Sequence, residues 1–422
     1  MSKIVRRVGL FQRSKTPLTL DGAKAVLERA SADRRARAFS LSTRRSWSRT
    51  LLRLFRLGGT SEGNEIVWMH DGDTAFLSML QSIASAKRRV WLESYILEPD
   101  IVGEKFLSAL KEAASRNLDV RFLYDAFGST GIDDDTCESL RDAGVRVVAF
   151  NPIFRFRRHQ PIHMRDHRKI LLVDDLGFTG GMNVSADYAG LQLGNGRFRD
   201  THARLQGPCV RHLERVFIGS WREACGEKLS AKTEPAISTQ TGCFAQVLGS
   251  NARRRRRHIQ KALRRTVLRS TRSCFLTTPY FVPPRSLVRA LNLAARRGVD
   301  VRILVAGDSD VPLARHASNH IAGRLLRNGV RIFELFGQTL HAKTATVDGI
   351  YGAVGSFNLD YWSYRRNLEV HVAAVDTELA DELAAQFQVD LTASRELTLS
   401  DWRARGLWRR IVDAIAYFLM RV

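Results

Sequence analysis

Two copies of one short pattern, His-x-Lys-x-x-x-x-Asp, stand one in each half of the chain: His167-Arg168-Lys169 leading to Asp174, and His341-Ala342-Lys343 leading to Asp348. Each is followed by a Gly-rich turn that ends in asparagine, Gly180-Gly181-Met182-Asn183 and Gly355-Ser356-Phe357-Asn358. The chain has 11 histidines, and no other one fits the pattern. Residues two apart on a strand share a face. His167, Lys169, Leu171 and Val173 therefore point one way, while Arg168, Ile170, Leu172 and Asp174 point the other. Two such His–Lys pairs meeting across a pseudo-twofold make one pocket with two imidazoles and two ammonium groups. That pocket is built to hold a phosphate diester and attack it.

The residue types divide the labour. Lys169 and Lys343 supply fixed positive charge for phosphoryl oxygens, and the amides of Asn183 and Asn358 donate hydrogen bonds to the same oxygens. Gly181 and Ser356 occupy matching places, where a small residue lets the backbone approach the ligand, and Ser356 joins the phosphate-binding set. One imidazole, neutral, attacks phosphorus and forms a phosphohistidine. The other, protonated, donates to the leaving alkoxide and later deprotonates the incoming hydroxyl, tasks suited to a group titrating near neutrality. Each histidine needs a partner on its second nitrogen, and Asp200 and Glu369 stand at matched distances downstream. Asp174 and Asp348 fall on the opposite face, at hairpin turns, and read as structural. A lone His-x-Lys is commonly a half-buried surface pair. Duplication together with matching turns, asparagines and carboxylates is not what core packing selects. His163, just upstream, reads as a loop residue near the entrance. Five scattered cysteines without a Cys-x-x-Cys suggest a reducing compartment and no zinc site. No metal and no cofactor is expected.

These motifs resemble those of the phospholipase D superfamily, and the span from about residue 65 to about 395 resembles its bacterial cardiolipin synthase branch. The stretches that carry the likeness, beside the paired motifs, are Trp91-Leu-Glu-Ser-Tyr-Ile96, Phe178-Thr-Gly-Gly-Met-Asn183, Trp221-Arg222, Thr278-Pro-Tyr-Phe-Val-Pro283 and Val354-Gly-Ser-Phe-Asn-Leu-Asp360. The resemblance implies His167 as nucleophile and His341 as general acid and base, with Lys169, Lys343, Asn183 and Asn358 on the phosphate and no metal. The chain lacks the two hydrophobic amino-terminal spans of many cardiolipin synthases, so it is similar to the type without them.

The elements that must position these residues repeat as well. Strands are expected at 89–92, 119–123 and 144–148, with a helix over 103–116; their second-half counterparts are strands at 274–276, 300–304 and 329–333, and a helix over 285–297. Strands alternating with helices predict α/β units, mostly parallel. The expected architecture is two fused, repeat-related phospholipase D-like α/β sandwich domains with the active site at their interface. The domains are placed at 61–230 and 231–400, after a basic, partly amphipathic segment 1–60 and before a basic amphipathic helix 401–422, with 227–242 as linker.

The balance of 66 basic against 43 acidic residues gives a net charge of +23. Such a surface attracts polyanions, nucleic acid or anionic lipid. Arg253 to Arg257 is the densest run, read equally as a solvated helix start or a lipid-headgroup contact, and it shows none of the interleaved aromatics that stack bases. The carboxy terminus tilts the choice. Leu407, Trp408, Ile411, Val412, Ile415, Phe418, Leu419 and Val422 recur at helical steps among Arg403, Arg405, Arg409, Arg410 and Arg421, the mark of an interfacial anchor. Arg44, Arg45, Trp47, Leu51, Leu52, Leu54 and Phe55 form a second candidate. No segment approaches the length a spanning helix needs, with Asp413 interrupting even the last run, and no signal-peptide core is evident. The expected protein lies peripherally on the cytoplasmic face of the cell membrane. It makes cardiolipin from phosphatidylglycerol, with phosphatidylethanolamine as a further substrate candidate and no nucleic acid partner. The rivals are a hydrolytic phospholipase D, a nuclease with the same motifs, and a non-catalytic membrane scaffold.

Overall fold

The structure, a computed structural model, describes residues 18–421 apart from 32–38, 153–160, 162, 232–241, 252–256 and 310. Both motif aspartates adopt left-handed backbone, with φ 48° at Asp174 and 61° at Asp348, as tight hairpin turns demand. Each heads a hairpin, Ile170–Val173 with Leu176–Gly180 and Thr344–Val347 with Tyr351–Gly355. The Asp174 carboxylate accepts the backbone N–H groups of Lys87, Arg88 and Arg89 at 2.9, 2.9 and 3.1 Å. Asp348 does the same for Thr271, Arg272 and Ser273 at 3.0, 2.7 and 3.1 Å. Each aspartate thus ties its hairpin to the chain entering the neighbouring strand.

Those neighbouring strands begin a parallel trio in each half: Arg89–Ser94, Asp119–Asp125 and Arg146–Phe150, and Ser273–Thr277, Asp300–Ala306 and Arg331–Leu335. Helices Ile101–Ser115 and Arg285–Arg296 cross over between the first two strands of each trio. The expectation of mostly parallel strands holds only there. The strands between the trios are antiparallel, and in the two hairpins the connection of two or three residues can only reverse the chain.

One mixed sheet of fifteen strands runs through both halves. At its middle, Thr60–Met69 pairs with His202–Gln206 on one side and Cys243–Asn251 on the other, and Cys243–Asn251 pairs in turn with Leu368–Val375. The apolar cluster at this seam takes Leu205 and Trp221 from the first half and Val354, Leu368 and Val370 from the second. The two repeat-related α/β units are fused through a shared core.

Helices Leu20–Ser31 and Leu41–Phe55 lie on the second half, with Ala23, Val26, Trp47, Leu51 and Leu54 buried in its core. Trp47 Nε1 donates to Asp348 Oδ2 at 2.8 Å. The candidate interfacial helix through Arg44, Arg45, Leu52 and Phe55 is therefore corrected. Its apolar stripe is removed from water by the core it docks on, which needs no membrane. The carboxy-terminal helix Leu407–Leu419 behaves differently. Leu407, Trp408, Ile411, Ile415, Phe418 and Leu419 are exposed, while Asp413, Ala416 and Met420 are buried against the protein. Asp413, which interrupts the apolar run in sequence, is a docking residue: it meets His316 Nδ1 at 2.8 Å and Arg405 at 3.1 Å. Val412 is half-buried, and Val422 lies outside the described residues. Of the run Arg253 to Arg257 only Arg257 is described. No described helix is long and apolar enough to cross a membrane.

Candidate active site

His167 to Lys169 lead directly into the strand Ile170–Val173, whose side chains alternate between two clusters: Leu171 and Val173 in one, Ile170 and Leu172 in the other. Backbone bonds then bind each motif to the opposite half. His167 N–H donates to Leu368 O at 3.0 Å and Leu368 N–H to Arg165 O at 2.9 Å; His341 and Ala342 both donate to Arg199 O, at 2.8 and 3.1 Å. The strand pair Phe198–Arg199 and Thr339–Leu340 completes the second link. The two motifs meet because the segment after each one pairs with the other.

The carboxylates follow the same crossing. His167 Nδ1 is 3.1 Å from Glu369 Oε2 and 3.1 Å from Ser356 O. His341 Nδ1 is 2.6 Å from Asp200 Oδ2. Each histidine thus meets the carboxylate of the other half. A carboxylate acceptor on Nδ1 assigns the proton there, and Nε2 of His341 meets Lys343 Nζ at 3.0 Å. Burial, then the Lys169 charge, holds His167 below its ordinary range, and burial followed by Lys343 lowers His341 to about 4. Lys169 is lowered to about 7, by burial and then by Lys343. Burial pushes Asp200 up, but the charges of Lys343 and His341 outweigh it and leave the carboxyl below its usual range. The site is thus a crowd of buried imidazoles and ammonium groups that a bound anion would complement.

Lys169 Nζ donates to His167 O at 2.8 Å, and Lys343 Nζ touches the His341 carbonyl and ring, 3.9 Å from Asp200. Asn358 is buried and its Oδ1 has no partner among the described residues. A buried amide oxygen left so costs about 1–3 kcal/mol, which only a donor, such as a substrate hydroxyl, would offset. Asn183 is occupied: Oδ1 accepts Ile96 N–H at 3.2 Å and Nδ2 donates to Tyr188 Oη at 2.7 Å. Ser356 faces Glu369. Its hydroxyl donates to Glu369, and Val370 N–H donates back to it at 3.1 Å. Its assignment to the phosphate-binding set is corrected to support of Glu369. At Gly181 a Cβ would collide with the Asp200 carboxylate, so the close approach there is to that carboxylate and not to a ligand. His163 is exposed and outside this cluster.

Several residues at the site have no signal in the paired motifs. Tyr95 sets its ring edge-on to His167, centroids 4.8 Å apart, under the Lys169 ammonium. Tyr188 packs the same way on His341, and its hydroxyl lies 3.3 Å from His341 Nε2. The residue at the same distance from Asn358 is Ser363, so Tyr188 has no repeat counterpart. Behind His167, the buried Arg168 donates to Ser220, Ser250 O and Glu369 O, with Glu93 4.0 Å away. Burial raises the carboxyls of Glu93 and Asp166, Asp166 well above its range. Ala342 stands where Arg168 stands in the first motif.

The family model described as cardiolipin synthase, phospholipase D-like domain, matches residues 79–220 and 263–391, one block in each half. The chain belongs to the cardiolipin synthase family. It is 32% identical over 377 residues to the cardiolipin synthase of Alkalihalophilus pseudofirmus, covering 87% of this chain and 75% of that one. To the major cardiolipin synthase of Bacillus subtilis it is 32% identical over 363 residues, 85% of this chain and 75% of the relative. Among solved structures, phosphatidylserine synthase of Haemophilus influenzae superposes with a TM-score of 0.64 over 85% of this chain and 95% of the other, at 13% identity, a likeness of fold.

Proposed function

We propose that this member of the cardiolipin synthase family is a phosphatidyltransferase that makes cardiolipin from phosphatidylglycerol, with phosphatidylethanolamine as a possible second phospholipid, in two steps and without a metal. The observation that carries the reading is the pair of crossed histidine–carboxylate contacts, each with a motif lysine beside its histidine. In the first step the Nε2 lone pair of His167 forms a bond to phosphorus. The bond to the headgroup alcohol breaks, and His341 gives that oxygen its proton. In the second step an acceptor hydroxyl surrenders its proton to His341 and attacks phosphorus, and the phosphorus–nitrogen bond to His167 breaks. Lys169, Lys343 and Asn358 hold the non-bridging oxygens, and Asn183 adds the second N–H of its amide, the first being given to Tyr188. Tyr188 supports this order: its hydroxyl already sits on His341 Nε2, where an alcohol exchanging a proton must sit, whereas Nδ1 of both rings is taken. Asp200 and Glu369 serve as the orienting carboxylates.

The exposed apolar stripe of Leu407–Leu419 supports a peripheral place on the cytoplasmic face of the membrane, where both substrates reside. Lipid mass spectrometry after incubation with phosphatidylglycerol vesicles tests the whole reading. Cardiolipin from the wild type, and from neither His167→Ala nor His341→Ala, is expected. Phosphatidic acid as the only product would make water the acceptor and the protein a hydrolase. No lipid turnover, with degradation of added DNA or RNA, would leave the nuclease reading.

A further inference from the structure

Beneath the carboxy-terminal helix runs a groove of ≈ 620 Å³, walled by the helices Arg285–Arg296, Pro312–Leu326 and Leu407–Leu419. Four arginines line it, Arg285, Arg324, Arg327 and Arg410. None is paired with a carboxylate among the described residues. The one acid on its wall, Asp413, is already engaged by His316 and Arg405. Arg327 and Arg410 both stack on the Trp402 ring, at 5.6 and 4.9 Å, so two like charges share one indole. Such an arrangement stores repulsion that an anion relieves. The wall also carries Asn319 and His320 beside its apolar side chains, of which Leu407, Ile411 and Phe418 belong both to the groove and to the exposed stripe.

We infer that this groove binds the headgroup phosphate of an anionic glycerophospholipid, at a site separate from the catalytic pocket. The inference rests on the membrane reading of the carboxy-terminal helix and deepens it. Charge complementarity selects an anion, and the continuity of the groove with the exposed stripe selects a lipid over nucleic acid. The acyl chains leave along Leu407, Ile411 and Phe418, and the phosphate lies among the guanidinium groups, which offer planar forked donors. The groove gives the helix a chemical preference that its apolar stripe alone lacks.

Cosedimentation of the full chain with vesicles at physiological salt tests this, comparing pure phosphatidylcholine with phosphatidylcholine containing phosphatidylglycerol. The triple variant R324Q/R327Q/R410Q is expected to lose roughly ten- to a hundredfold in affinity for the anionic vesicles, and to bind neutral vesicles as the wild type does. The control triple R49Q/R53Q/R264Q removes the same charge from the other dense arginine cluster, around Arg265 and Arg269. It is expected to cost under threefold. An equal loss in both triples would mean diffuse attraction and overturn the site, as would an unchanged groove variant. The double variant W408S/L419S, at exposed stripe residues outside the groove wall, separates the two readings. If it loses both vesicle types while the groove triple binds normally, the stripe is an anchor and the groove proposal fails. If it binds normally while the groove triple is defective, the stripe reading falls and the groove stands. Circular dichroism of every variant guards against misfolding.

Discussion

The exchange of partners at the centre makes sharp demands on single residues. Asp200 orients His341 and Glu369 orients His167, so Asp200→Asn should resemble His341→Ala, although Asp200 follows the first motif in the chain. Turnover is expected to drop about 10²–10⁴-fold in Asp200→Asn and in Glu369→Gln, since a wrong tautomer disables an otherwise intact site. The two differ in what accumulates. Asp200→Asn keeps the nucleophile, so any intermediate that accumulates there is a phosphatidyl adduct on His167, visible by intact-protein mass spectrometry, whereas Glu369→Gln should form none. An adduct in the second variant and not the first would reverse the assignment of the two histidines. Proton affinity gives an independent check. His341 at about 4 and Lys169 at about 7 are held down by burial, and next by the neighbouring lysine. A bound phosphodiester raises both, so binding takes up protons, and affinity rises as pH falls from 8 to 6. Titration calorimetry of a soluble phosphodiester headgroup analogue, in two buffers of different ionisation enthalpy, measures that uptake. Release of protons on binding would contradict the electrostatic picture.

At the scale of elements, the turns carry the strongest constraints. Asp348 collects three backbone N–H groups and the Trp47 indole. Asp348→Ala would strand those buried donors and is expected to destabilise the fold by about 2–4 kcal/mol, read as a lower midpoint in urea with turnover largely kept below it. Gly181→Ala is the converse. Its Cβ displaces the Asp200 carboxylate, so the thermal midpoint should hardly move while turnover falls with that of Asp200→Asn. A large loss of stability with normal turnover would contradict that placement. These elements also mark how far the chain is legible before folding. Motif strands, crossover helices and hairpins follow from period and turn chemistry, and so do the positions of His167, His341, Asp200 and Glu369. The crossing of the carboxylates does not, since matched spacing is equally compatible with partners from the same half. The sheet is less parallel than strand–helix alternation suggests, because Asp174 and Asp348 reverse the chain. Tyr188 is illegible because it lacks a repeat counterpart. The stripe of Trp47, Leu51 and Leu54 reads the same from sequence as that of Trp408, Ile411 and Phe418. Only tertiary contact separates a helix docked on a core from one left with an exposed apolar face.

The whole molecule is a single cooperative object built from a duplication, and the reason lies at the seam. Cys243–Asn251 pairs with Thr60–Met69 of the first half and with Leu368–Val375 of the second. The cluster beneath mixes Trp221 and Leu205 with Val354, Leu368 and Val370. Arg168 reaches across it from the first motif to the carbonyls of Ser250 and Glu369. Opening the halves would expose that shared core and strand buried polar groups on both sides, so neither half has a folded state of its own to retreat to. Heating should therefore give one transition, with calorimetric and van't Hoff enthalpies equal, and turnover lost within it. Leu368, fully buried at the seam, provides the test of mechanism. Leu368→Ala is expected to lower the stability of the whole unit by roughly 2–5 kcal/mol, moving the one transition without splitting it. A variant that melts in two separate steps would show that the halves are independent domains in contact. The crossed site would then have to assemble by docking, and turnover would disappear in the first step while half of the secondary structure survived.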